Sequence, residues 1–301
     1  MFGEVILSIL LLLAAGLVSR EVGLLDSFRI KLLNKFAFYV ALPALIFHSI
    51  YGRSLEEIFS PTLVSGFCLV ILLTLGIGWL SYGNFKDDAK KSVAITQSYH
   101  GNLGYMGLPI VIMGFGKAAG AKASLLVGVG SASQIALTTI LLVHLNGVRT
   151  TLKSKLEKIV ANPVLLSLVA GLCFSFLRIS IPSQPERILS LLSETALPIA
   201  LLGVGASIKL RRRKGDLRLL GSVIGLKMIL MPVLGWVLLH LLEVGSLGLK
   251  TGVLMLGMPT AVSTFIYTKE LGGDEELASK NISFTTIFSI PTITVLLFLL
   301  S

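Results

Sequence analysis

Residues 100–111 read HGNLGYMGLPIV, with hydrophobic sequence on both sides. Three glycines, a proline, an asparagine and a histidine in twelve residues are poor material for an ordinary helix. The surrounding chain says what kind of helix is being spoiled. Of 301 residues, 54% are hydrophobic and 14% charged, and the mean hydropathy is +0.87. A soluble domain carries roughly a quarter charged residues. Here the charges sit in short patches between apolar runs of about 20 residues, the length that crosses a hydrocarbon core of about 30 Å. The chain reads as a polytopic helical membrane protein, and the opening stretch as a membrane helix that stops midway.

Ten apolar runs are expected as spans, at 3–19, 34–50, 61–82, 92–113, 121–145, 163–180, 188–208, 217–241, 248–268 and 281–300. The N-terminal run has Glu4 at its start and Arg20 just after it, the reverse of a signal peptide, and is read as a retained first span. The segments after the odd-numbered spans hold 19 of the 26 basic residues, from Arg20 to Lys280. The opposite segments hold six: Arg53, Lys117, Lys122, Arg178, Arg187 and Lys250. By the positive-inside rule this places the basic segments in the cytoplasm and both termini outside. The net charge of +10 then orients the chain and meets lipid headgroups, so nucleic acid is not expected as a partner. Cys68 and Cys173 fall inside apolar runs, which gives no reason to expect a disulfide, a metal or a cofactor.

The two halves resemble each other. VALPALI (Val40–Ile46) recurs as TALPIAL (Thr195–Leu201) at an offset of 155, and GLPIV (Gly107–Val111) as GMPTA (Gly257–Ala261) at an offset of 150. Five spans per half is an odd number, so the second half is expected to enter the membrane upside down. The expected organisation is a first repeat over 1–145, a cytoplasmic loop over 146–162 and a second repeat over 163–301. Inverted repeats with interrupted helices at matching positions point to the binding site of a secondary transporter.

On this reading the fourth and ninth spans break and cross. Extended chain is expected over 102–108, with helix restarting at Pro109 and at Pro259. Proline suits a first helical turn because its missing N–H costs nothing there. Two half-helix N-termini near the midplane carry unpaired N–H groups and about half a positive charge each, which together favour an anion. Unwound backbone at that depth needs side-chain partners. Asn102, Tyr105, Gly107, Pro109, Gln134, Pro259, Thr260 and Ser263 are the candidate substrate-binding residues, with Thr264 as a further polar partner. Lys227 joins them from about 15 Å into the eighth span; its ammonium either donates to freed carbonyls or adds charge to an anion site. His100 and Glu194 are candidates for carrying a coupled proton.

The stretches NLGYMGLPIV and MPTAVSTFIYTKELGGDEELAS, with SIPTITVLL, resemble the auxin efflux carrier family of membrane transporters. Asn102, Gly107 and Pro109 match the family's pattern in the fourth span; Pro259, Phe265, Lys269 and Glu270 match it in the ninth. The resemblance implies an all-α fold of two inverted five-helix repeats with crossed broken helices. It further implies a scaffold of spans 1, 2, 6 and 7 beside a moving domain of the other six, and often a homodimer. Its members carry organic anions such as dicarboxylates and auxin. Plant auxin exporters usually have glutamine where this chain has Thr260, and a long central loop where this one has 17 residues over 146–162, so auxin itself is not the expected cargo. The leading expectation is a plasma-membrane carrier of a small organic carboxylate working by an elevator-like movement. A cation/proton antiporter of similar architecture needs membrane carboxylates, and only Glu194 offers one. An intramembrane hydrolase would rest on Ser131 with His100 or His144 and lacks a G-x-S-x-G stretch; no enzyme is expected. A non-transporting sensor has no attached signalling domain to recommend it.

Overall fold

Polar residues between the apolar runs start the helices. Asp26, Ser54, Ser60, Asp87, Asn162 and Asp274 each accept a backbone N–H at the start of the helix that follows, and Pro61 and Pro163 occupy first-turn positions. The computed structural model describes residues 2–148, 161–208 and 217–301, and within them the chain is helical apart from turns and one isolated β-bridge. Most of the loop expected over 146–162 lies outside the described residues, as does the basic stretch 209–216.

In chain order the helices are α1 (Phe2–Glu21), α2 (Ser27–Phe36), α3 (Leu42–Ile50), α4 (Leu55–Ile58), α5 (Pro61–Tyr82), α6 (Asp88–Tyr99), α7 (Leu108–Asn146), α8 (Pro163–Phe176), α9 (Ser183–Ser207), α10 (Leu217–Ile224), α11 (Met231–Leu241), α12 (Ser246–Leu256), α13 (Ser263–Glu270) and α14 (Glu275–Leu299). Among the described residues, seven continuous stretches are long and apolar enough to cross a membrane. One of them, Leu103–Asn146, runs to 44 residues and is divided at Gly116, whose φ of +82° suits a residue without a Cβ. It takes in the end of the expected fourth span and all of the fifth. The expected sixth span falls on α8, which is apolar but has 14 residues. The expected ninth is divided between α12 and α13. Large apolar side chains such as Leu80, Phe176 and Phe298 lie on the outer surface, as lipid contact requires.

Both breaks differ in detail from the sequence reading. Extended chain covers only His100–Asn102; helix resumes at Leu103 with a π-helical turn to Gly107, upstream of Pro109. At the second break helix resumes at Ser263, not at Pro259. The prolines explain the first difference. Three π-helical segments, Ala37–Ala41, Leu103–Gly107 and Gly225–Leu230, each run directly into a residue followed by proline: Pro43, Pro109 and Pro232. In each, the residue before the proline bonds five back: Leu42 to Ala37, Leu108 to Leu103 and Met231 to Leu226. A proline ring clashes with the carbonyl four residues earlier. One extra residue in the preceding turn moves that carbonyl aside, so the helix passes through with a local widening.

The helices form two bundles. In one, α1 packs along α9, and α3 against α8 and α9, with α2 completing the set. In the other, α5, α6, α7, α10, α11, α12, α13 and α14 pack among themselves around the breaks.

Candidate functional site

The breaks meet. Gly101 and Thr260 form an antiparallel bridge, with the Asn102 N–H donating to the Pro259 carbonyl at 2.8 Å and the Ala261 N–H to the His100 carbonyl at 3.0 Å. Each break thus supplies the other with the partners that a sheet would give.

The carbonyls left over at the ends of α6 and α12 are taken by side chains. Thr260 Oγ1 donates to the Gln97 carbonyl at 2.9 Å, and Gln134 Nε2 to the Tyr99 carbonyl at 3.2 Å. Lys227, fully buried on the π-helical segment Gly225–Leu230, donates to the Leu256 carbonyl at 2.9 Å and lies 3.1 Å from Met231 Sδ. A methyl group added to Gly101 would come within 3.1 Å of Lys227 Nζ, so this one ammonium touches both breaks. Of the two roles open to Lys227 from sequence, donation to a freed carbonyl is the one the geometry displays.

His100 turns its ring inward, Nδ1 lying 2.8 Å from Thr138 Oγ1, which is also 3.0 Å from the Tyr99 hydroxyl. The Thr260 N–H donates to Thr285 Oγ1 at 3.2 Å, and Gln97 Nε2 to Thr264 Oγ1 at 3.0 Å. Gly107 has no room for a Cβ, which would lie 2.6 Å from Met255 Sδ; Pro109 is buried in the first turn of α7. Tyr105 is half-buried and reaches the first bundle, its hydroxyl donating to the Asn34 carbonyl at 3.1 Å. Ser263 is half-buried and opens α13. Glu194 is exposed on α9, where Ser190 Oγ donates to it at 3.4 Å, apart from this cluster.

Several buried polar atoms here have no partner in the protein. Asn102 Nδ2, Gln134 Oε1 and Gln97 Oε1 are all enclosed and unbonded. Asn102 stands immediately before the helical N–H groups that begin at Leu103. It therefore offers an unused amide donor at the positive end of a half-helix. The buried polar side chains among the described residues are Thr, Ser, Asn, Gln, His100 and Lys227, with no carboxylate. Of the unpaired amide atoms, Asn102 Nδ2 is a donor, while Gln97 Oε1 and Gln134 Oε1 are acceptors.

A cleft of about 480 Å³ leads towards the second break. Its walls come from both bundles: Arg20, Asp26 and Ser27 around the α1–α2 turn, Ser207 at the end of α9, and Val262 and Ser279 from the second bundle. Arg20 ties the first bundle together at this mouth by donating to the Ile208 carbonyl.

Gln97, Thr138 and Thr285 were not among the candidates from sequence. Each lies in unbroken helix with no glycine or proline beside it. A signal existed for Thr138, four residues after Gln134 and so on the same helical face. Gln97 and Thr285 become meaningful only once the breaks are brought together.

A family model described as "Membrane transport protein" matches the chain over residues 2–155 and 147–297. The chain is 28% identical over 277 residues to a protein of Rhizobium meliloti named "Putative malonate transporter", covering 89% of this chain and 86% of the relative. It is 25% identical over 290 residues to an "Uncharacterized transporter" of Methanothermobacter thermautotrophicus, covering 95% and 94%. A transporter of Methanocaldococcus jannaschii is 26% identical over 299 residues, covering 95% of each chain.

Proposed function

Because the chain belongs to the membrane transport protein family, that of the auxin efflux carriers, we propose that it is a secondary transporter of a small organic carboxylate. The observation that carries this is the unpaired, buried Asn102 amide nitrogen at the start of a half-helix, with no buried carboxylate among the described residues. The relative named for malonate supports the same chemical class.

In this reading the chain has ten spans in two inverted repeats, 1–145 and 163–301, joined by a cytoplasmic segment over 146–162. Both termini are outside, in the plasma membrane. The fourth and ninth spans cross at the Gly101–Thr260 bridge. Asn102 and Ser263 meet the carboxylate, helped by the positive dipole of the half-helix that each opens. Gln134, Thr260 and Pro259 hold the breaks in place; Gly107 and Pro109 shape the wall, and Tyr105 borders the first bundle. Lys227 contributes positive charge from behind the bridge. His100 belongs to the same cluster, while Glu194, exposed on α9, stands outside the pathway.

The first bundle acts as scaffold and the second as the moving domain, with the cleft between them as the cytoplasmic entry. Alternating access is then a rigid movement of one bundle against the other around a fixed site. A homodimer would anchor the scaffold. The test is uptake of radiolabelled malonate and other short dicarboxylates into proteoliposomes, beside thermal stabilisation by the same acids in detergent. Saturable uptake supports the proposal. Absence of both uptake and stabilisation across short mono- and dicarboxylates would falsify it.

A further inference from the structure

The ammonium of Lys227 sits where two helices end. α6 finishes at Tyr99 and α12 at Leu256, and Lys227 Nζ bonds the Leu256 carbonyl at 2.9 Å while lying against Gly101, two residues beyond α6. A helix C-terminus carries about half a negative charge. Two such ends facing one point sum to about one negative charge, which a single ammonium matches. Carriers built on discontinuous helices hold their coupling sodium ion or proton with these same parts, namely half-helix C-terminal ends and unwound carbonyls. Here that place is filled by a side chain: Lys227 is fully buried, and its Nζ also lies 3.1 Å from Met231 Sδ.

We infer that Lys227 is a tethered cation standing in for a dissociable coupling ion, so that sodium neither completes the broken-helix junction nor accompanies the substrate through it. The lysine is held by its own helix and cannot leave with the cargo. It neutralises the two C-terminal ends and leaves the positive dipole of the two N-terminal ends, at Leu103 and Ser263, without a matching charge from this side chain. The transport consequence rests on the proposed function; the structural role of the charge does not.

The test is thermal melting of the purified full-length protein in sodium chloride against choline chloride, with no carboxylate present. Wild type is expected to melt at the same temperature in both. Lys227→Ala is expected to melt lower in choline and to recover part of the loss, saturably, with sodium or ethylammonium. Lys227→Met is expected to melt low without recovery, because its side chain fills the space. Specific stabilisation of wild type by sodium overturns the inference, as does a Lys227→Ala protein that melts like wild type or that no cation restores. If Lys227→Ala does not assemble, Lys227→Gln decides: it keeps a donor for the Leu256 carbonyl without the charge. Lys227→Gln melting below Lys227→Arg supports the tethered cation, and equal melting overturns it. A protein that binds no carboxylate would sink the transport proposal and leave these melting results unaffected.

Discussion

Asn102 does two separable things. Its backbone N–H holds the junction by donating to Pro259 and its carbonyl closes the π-helical turn by accepting from Gly107, while its side-chain amide nitrogen has no partner. Asn102→Ala is therefore expected to leave the melting temperature nearly unchanged and to weaken carboxylate binding about 10- to 100-fold, the worth of a hydrogen bond to a charged group. Calorimetric titration beside a melting curve separates the two effects; unchanged affinity would move the substrate elsewhere. Thr260 is the opposite case. Its hydroxyl is fully committed to the Gln97 carbonyl and it is completely buried. Thr260→Val leaves that carbonyl unsatisfied and is expected to cost about 1–3 kcal/mol of stability. A melting temperature equal to wild type in Thr260→Val would show that the bond is dispensable. Sequence singled out both residues for one reason, their place beside a proline-marked break. Only the contacts assign one to the ligand and the other to the frame.

At the scale of elements, helix packing depends on small residues where backbones approach. A Cβ on Gly16 of α1 would lie 2.2 Å from the Leu202 carbonyl oxygen of α9, and one on Gly205 of α9 would lie 2.1 Å from that of Leu13. Both obstacles are backbone, which cannot rotate away as a side chain does, so α1 and α9 would have to part. In a membrane, where apolar side chains are equally content in lipid, such close packing is what holds helices together. Gly16→Ala and Gly205→Ala are each expected to destabilise by about 1–3 kcal/mol. Gly76→Ala in α5, where a Cβ meets nothing within 4 Å, is expected to be neutral or slightly stabilising. Melting curves of the three variants check this, and equal behaviour would remove the close-approach argument. The π-helical turns before Pro43, Pro109 and Pro232 belong to this scale too. The prolines were visible as interruptions; that a wider turn would absorb them and let helix begin at Leu103 was not, because the choice depends on the packing around each turn.

For the whole molecule, the cleft between the bundles implies one open side. Ser279 lines it beside Arg20 and Ser207, between Lys269 and Lys280, in the part of the chain that the proposed topology puts at the cytoplasmic face. With Cys68 and Cys173 first replaced by serine, a cysteine at Ser279 is expected to react with a membrane-impermeant thiol reagent only from the cytoplasmic face. Saturating carboxylate is expected to slow it. Labelling from outside intact cells would reverse the orientation. Apolar run length was enough to establish a helical membrane protein, the stretches NLGYMGLPIV and MPTAVSTFIYTKELGGDEELAS carried the resemblance to the family, and the glycines and prolines marked residues 100–109 and 257–263 as special. Those features are local and periodic, and the physics behind them acts on short segments: run length against bilayer thickness, and proline against helix. The tertiary structure decided which partners the freed groups find. Lys227 is 29 residues from the Leu256 carbonyl it bonds, and Thr260 is 163 residues from Gln97. No local pattern encodes such pairings, because a buried polar group is satisfied by whatever the fold brings within hydrogen-bond reach.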